Sequence, residues 1–244
     1  MRGRPRPGRL KRSHAGYWGG LGGVTRRFPG LRVAFLEGGV GLGLSLYCEL
    51  VSHWSKRNIG SIDQYDPANL DPDVFAGLAA AWGPPPVRQA VQASRLGPAG
   101  HPLGYYEQDR AHRDDFSALG ITQVEQVRDL FVPNFYFGCE ADDPMTIGAF
   151  TNPAVPLGAR LNTMFSSDIG HWDVPDVTAV LEELWEPLEH GWLSTDDVCD
   201  LAFANAARFY LESNPHFFEG TVLESEVMVL APGQVPNATS RAQR

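Results

Sequence analysis

Hydrophobic residues alternate along the chain between short continuous runs and longer stripes at three- and four-residue spacing. Residues 31–36 (LRVAFL) are apolar on both faces, follow Pro29-Gly30 and end at Glu37-Gly38-Gly39. That pattern predicts a buried parallel strand. In the next stretch, GLGLSLYCELVSHWSKR, the residues Leu44, Tyr47, Leu50, Val51 and Trp54 share one helical face. Lys56 and Arg57 stand in its last turn, where the helix dipole favours cations. Residues 130–138 (LFVPNFYFG) read as a second strand with Pro133 near its start. Residues 161–167 (LNTMFSS) read as a third, ending at Asp168. A helix over 174–190 is expected, with Asp173 as N-cap and Pro175 in the first turn. Val177, Val180, Leu181, Leu184 and Leu188 would form its buried stripe, and Gly191 would end it. Ser194-Thr195-Asp196-Asp197 reads as a capping box opening one more helix to Tyr210.

Residues 60–117 separate the first strand–helix pair from the second strand, too long a stretch for a simple connection. Asp71-Pro72 starts a short helix through Trp82, Pro84-Pro85-Pro86 breaks the chain, and 87–96 turns helical again before a loop over 97–104. The segment is expected to form a lid or packing subdomain. Strands alternating with helices imply an α/β fold with a parallel sheet. The ends differ in kind: 1–21 reads as a basic disordered head and 226–244 as a loose tail, with the folded body over 22–225.

Charge sharpens this division. Residues 1–36 hold nine Lys or Arg and no acid, while the rest of the chain holds eleven basic residues and all 29 acids. The acidic body argues against nucleic acid as its main partner, because it would repel phosphates. The basic head reads either as a targeting or nucleic-acid arm or, more simply, as a tail with too few apolar residues to bury. With 43% hydrophobic and 20% charged residues the composition is that of a globular protein with a substantial core. No apolar block with a cleavage site follows the head, and no run of about 18 apolar residues is present, so no membrane partner is expected. Cys48, Cys139 and Cys199 are odd in number, far apart and without a CxxC. They read as reduced thiols in a cytoplasmic protein.

Candidate chemistry lies after the strands. Asp168 follows the third strand and His171 comes three residues later, in SSDIGHWD. In α/β barrels the carboxyl end of a strand faces the active site. A carboxylate there would bind a divalent metal or take a proton from metal-bound water. The plainer reading is a turn-capping Asp beside an exposed or helix-capping His. Glu37 ends the first strand with two glycines behind it, and reads equally as a general base or as a structural carboxylate. Glu140, Asp142 and Asp143, after the second strand, read either as carboxylates that attract a cation or, more commonly, as a solvated acidic loop; Cys139 beside them would be a nucleophile only next to an activating base. His53 reads as a packing or surface residue, His101 as a remote lid candidate, and His112, His190 and His216 as surface or turn residues. Dinucleotide, Walker, GxSxG and HExxH patterns are absent from the sequence.

FPGLRVAFLEGGVGL together with MFSSDIGHWD resembles the amidohydrolase-related metal-dependent hydrolases, in the branch of the aminocarboxymuconate-semialdehyde decarboxylase-like enzymes. FYFGCEADDP and FANAARFY add to the likeness, which runs from about Gly22 to Gly220. The resemblance implies a TIM (β/α)8 barrel with a catalytic divalent metal, usually zinc. In that family an H-x-H pair on the first strand, a His on a middle strand and an Asp on the last strand hold the metal. Asp168 matches that last Asp, and the three strands match the sixth to eighth. Glu37 matches the end of the sixth strand, where decarboxylase-like members carry a catalytic His. This chain has no H-x-H, and its only His before Glu37 is His14.

Two expectations follow. In the first, the chain is the last three β/α units of a partial barrel. Asp168 would bind or activate the metal water and His171 and Glu37 would assist in hydrolysing a C–N or C–O bond, or in decarboxylation, of a small-molecule substrate. A homo-oligomer or a missing N-terminal half would then complete the site. In the second, the chain is a catalytically inactive barrel remnant that acts at most as an interaction module.

Overall fold

The structure is a computed structural model that describes residues 23–66, 69, 71–92 and 114–230. The expectations for the basic head, His14, the loop over 97–104, His101, His112 and the tail beyond Leu230 lie outside these residues. The chain divides into two compact units, Met1–Ser52 with Gln123–Arg244, and His53–Thr122. Among the described residues no helix is long and apolar enough to cross a membrane.

The first unit is built on a three-stranded parallel sheet in the order β1 (Val33–Phe35), β2 (Phe135–Glu140), β3 (Asn162–Ser166). Parallel pairing sets Phe35 opposite Phe137, and Glu140 opposite Ser166, so the carboxyl ends of neighbouring strands lie side by side. The fold is therefore mixed α/β with a small parallel sheet and many helices. β1 is shorter than the apolar run that predicts it and only half-buried, with Leu31 and Leu36 exposed. Among the described residues it pairs on one side only, so the continuous apolar pattern overstates its burial.

The helix after β1, α1 (Gly39–Arg57), begins at Gly39, whose φ of 67° lies in the left-handed region that glycine tolerates. Leu44, Tyr47 and Val51 are buried as the spacing predicts. Gly43 is required for packing: a Cβ there would stand 2.8 Å from the Phe137 ring, which is fully buried in β2. Phe137 stacks on Phe35 at 5.7 Å and 12°, and Tyr47 meets Phe131 at 5.4 Å. Full burial of one such ring contributes about 2–3 kcal/mol.

The second strand starts later than the sequence predicts. Leu130 and Phe131 belong to a helix, Glu125–Phe131, in which Val127 and Phe131 are buried four residues apart. Pro133 lies in the turn before β2, and Cys139 and Glu140 are strand residues rather than loop. The opposite face of the sheet is covered from the C-terminal region, where Phe209 meets Tyr136 edge-on at 5.2 Å and Asn205 donates to the Thr163 carbonyl at 2.9 Å.

The expected helix over 174–190 spans only Val180–Glu189, because 173–179 forms turns and loop, so Asp173 is not its N-cap. Val180 and Leu184 are buried, but Val177 and Leu181 are exposed, which corrects the expected buried stripe. The capping box is present: the Ser194 hydroxyl accepts from Asp197 N, and Asp197 accepts from Ser194 N at 2.9 Å. Beyond Thr195–Cys199 the chain widens into a π-turn over Asp200–Ala204 before Asn205–Ser213.

The second unit contains the end of α1, short helices over Ile59–Asp63, Pro72–Trp82 and Pro85–Gln92, and the segment from Asp114. Asp71 caps the longest, accepting from Asp73 N and Val74 N. Trp54 meets Phe116 edge-on at 4.9 Å, and His53 Nε2 lies 2.7 Å from Asp115 Oδ2. That pairing makes His53 a packing residue of this unit.

Candidate metal centre

The arginines that flank the strands are paired with acids, while the carboxyl ends of the strands carry a cluster of carboxylates. Arg32 precedes β1, Arg128 lies in the helix before β2, and Arg160 precedes β3. Each is committed at that amino-terminal end. Arg32 donates to Glu212 and, at 3.0 Å, to Asn134. Arg128 pairs with Asp129, and Arg160 with Asp197. At the carboxyl ends stand Glu37, Glu140 and Asp168, with Asp142, Asp143 and Asp173 in the adjoining loops.

These acids interact. Desolvation and then the neighbouring carboxylates of Asp168, Asp142, Asp173 and Asp143 push the Glu140 carboxyl above its ordinary value. Asp143 ties the turn after β2 to the start of α1, accepting from Met145 N and Val40 N, each at 2.8 Å. Glu37 and Asp168 hold left-handed backbone, with φ of 58° and 50°, uncommon outside glycine. One residue separates each from the end of its strand, so the chain turns sharply where it leaves the sheet.

His171 reaches back across the turn. Its backbone N–H donates to the Asp168 carbonyl at 3.2 Å, and its Nδ1 lies 2.6 Å from Asp168 Oδ1. An ionised carboxylate accepts only, so the contact places a proton on Nδ1 and leaves Nε2 as the acceptor of the neutral ring. The hydrogen bond to Asp168, the Asp168 charge and the more distant charges of Glu37 and Asp173 raise the His171 pKa above 6.5. The Asp168 side chain is 15% exposed and that of His171 60%, so an anchored carboxylate orients an accessible ring.

Asp173 completes the group: one donor atom each from Asp168, His171 and Asp173 lies within 4.8 Å of the others. One imidazole nitrogen with two carboxylate oxygens is a set that zinc and related divalent ions accept, and three protein ligands is the catalytic count. Comparison with protein-family models, curated proteins and solved structures finds no match for this chain. The chemistry of the centre is therefore read from its own side chains.

Of the expected site residues, Asp168 and His171 are in direct contact, while Glu37 reaches His171 only through its charge. Asp173 is the residue that sequence reasoning misassigned, as a helix cap. The D-x-x-H-x-D spacing is the signal that would have found it. Cys139 is buried, and burial pushes its thiol up to about 11, which leaves it no nucleophile at neutral pH.

Proposed function

We propose that the chain is a metal-dependent hydrolase whose divalent cation, with zinc the first choice, is held by Asp168, His171 and Asp173. The observation that carries this reading is the convergence of those three donors beyond the carboxyl end of a parallel sheet. The cationic residues of the sheet are committed at its other end, which leaves an electrostatic field here that favours a cation. The bound ion would supply Lewis acidity, lowering the pKa of water and polarising the scissile C–N or C–O bond.

The chain's own residues supply the proton handling. With Nε2 offered to the ion, Asp168 would hold the Nδ1 proton and fix the ring. Glu37 and Glu140, at the same end of the sheet, would be the bases for the attacking water. Desolvation and the neighbouring carboxylates raise the Glu140 carboxyl above its ordinary value, which makes it a stronger base than an ordinary glutamate. Decarboxylation is the alternative outcome of the same centre, and an anionic substrate would meet repulsion from these acids. The same reading takes the three strands as the last β/α units of a TIM barrel, with a second copy or an N-terminal half completing the wall.

Hydrolysis of a panel of activated esters and anilides tests the proposal, with chelated and zinc-reconstituted protein side by side. Zinc-dependent turnover that falls at least about a hundredfold in Asp168→Ala and His171→Ala is the expected result. Turnover that ignores both the chelator and the two substitutions would sink it.

A further inference from the structure

The helix over Val180–Glu189 turns an unusual face to solvent. Its buried side is Val180 and Leu184. Leu181 is 62% and Trp185 43% exposed, one turn apart on the outer side. Glu182, Glu186 and Glu189 form a second row beside them, at positions i, i+4 and i+7. The outer face is thus an apolar strip running alongside an acidic one. The acidity continues on the N-terminal side of the helix, where Asp168, Asp173 and Asp176 stand with no Lys or Arg between Leu161 and Val180.

An apolar strip left in water is a recognition surface when neighbouring charges select what covers it. The charges decide the occupant here. A second copy docked by the same face across a two-fold axis would set glutamate rows against each other. An anionic membrane surface and nucleic acid would meet the same repulsion. A helix with a leucine-type strip beside a lysine or arginine strip matches both rows at once.

We propose that this face docks a basic amphipathic helix of a partner protein. Leu181 and Trp185 would fill against the partner's apolar strip, and Glu182, Glu186 and Glu189 would select its basic residues and fix its register. His190, with Nε2 3.4 Å from Glu186 Oε1, sits at the end of the row. This surface is independent of the proposed metal centre, so binding persists in Asp168→Ala whatever the fate of catalysis.

The test uses the full chain and a fluorescent synthetic helix with one leucine face and one lysine face, read by anisotropy. Its mirror probe carries glutamate in place of lysine. The lysine helix is expected to bind, with affinity that falls as salt rises, and the glutamate helix to fail. Both Leu181→Ser/Trp185→Ser and Glu182→Gln/Glu186→Gln/Glu189→Gln are expected to weaken binding at least about tenfold. Glu125→Gln/Glu224→Gln/Glu226→Gln, with the same net charge removed elsewhere, should stay within about twofold of the parent. Equal losses in the remote variant would reduce the effect to overall charge and overturn the proposal. So would unchanged binding in the two face variants. A parent chain that sediments as a dimer while Leu181→Ser/Trp185→Ser sediments as a monomer would assign the face to a second copy instead.

Discussion

Asp168 and His171 are the pair whose chemistry is most exposed to measurement. The imidazole is raised above 6.5 because it donates to, and faces the charge of, Asp168. Pairing with the protonated ring therefore stabilises the fold below that value and is lost as pH rises through the raised midpoint. Proton NMR of the His171 ring should give a midpoint above 6.5, moving down toward it in Asp168→Asn. A midpoint identical in the two proteins would mean that the contact does not exist in solution. The pairing was half legible in the sequence, since D-x-x-H places two residues one turn apart. That Asp173 joins them was not, because an Asp before Pro175 and an apolar stripe is also a helix-start signal.

Two elements show where local pattern and tertiary structure part. The capping box was legible because its chemistry is local: Ser194 and Asp197 bond within four residues. What the sequence did not reveal is that Asp197 also accepts from Arg160, across the fold. Burial alone would raise the Asp197 carboxyl, but the hydrogen bonds from Ser194 and Arg160 outweigh it and the group lies below 3.8. Its contribution is present above 3.8 and lost as pH falls through the lowered value. Asp197→Ala is expected to cost about 2–3 kcal/mol at neutral pH and less in acid, by denaturant titration at both pH values. Helix α1 makes the opposite point. Gly43 looks like a flaw in a helix, and alanine there would gain about 1 kcal/mol by propensity. The 2.8 Å approach to Phe137 reverses the sign, so Gly43→Ala is expected to destabilise by about 1–3 kcal/mol. A more stable variant in thermal unfolding would contradict the packing. The helix over Val180–Glu189 is shorter than its apolar spacing predicts, because periodicity marks apolar residues without saying whether anything covers them.

For the whole molecule, the alternation of strand and helix sufficed to read a parallel sheet, and the sheet's direction places all the candidate acids at one end. The sequence also showed charge segregation along the chain, but not the segregation along the strands, which depends on which residues precede and which follow each strand in space. The central claim is that Asp168, His171 and Asp173 hold a divalent cation. Calorimetric titration of zinc into the chelated 244-residue chain, beside Asp168→Ala, His171→Ala and Asp173→Ala, tests it most directly. One ion per chain in the parent, with affinity reduced at least about tenfold in each variant, is the expected result. A folded parent that takes up no zinc, or three variants that bind it as the parent does, would contradict a metal centre at these residues.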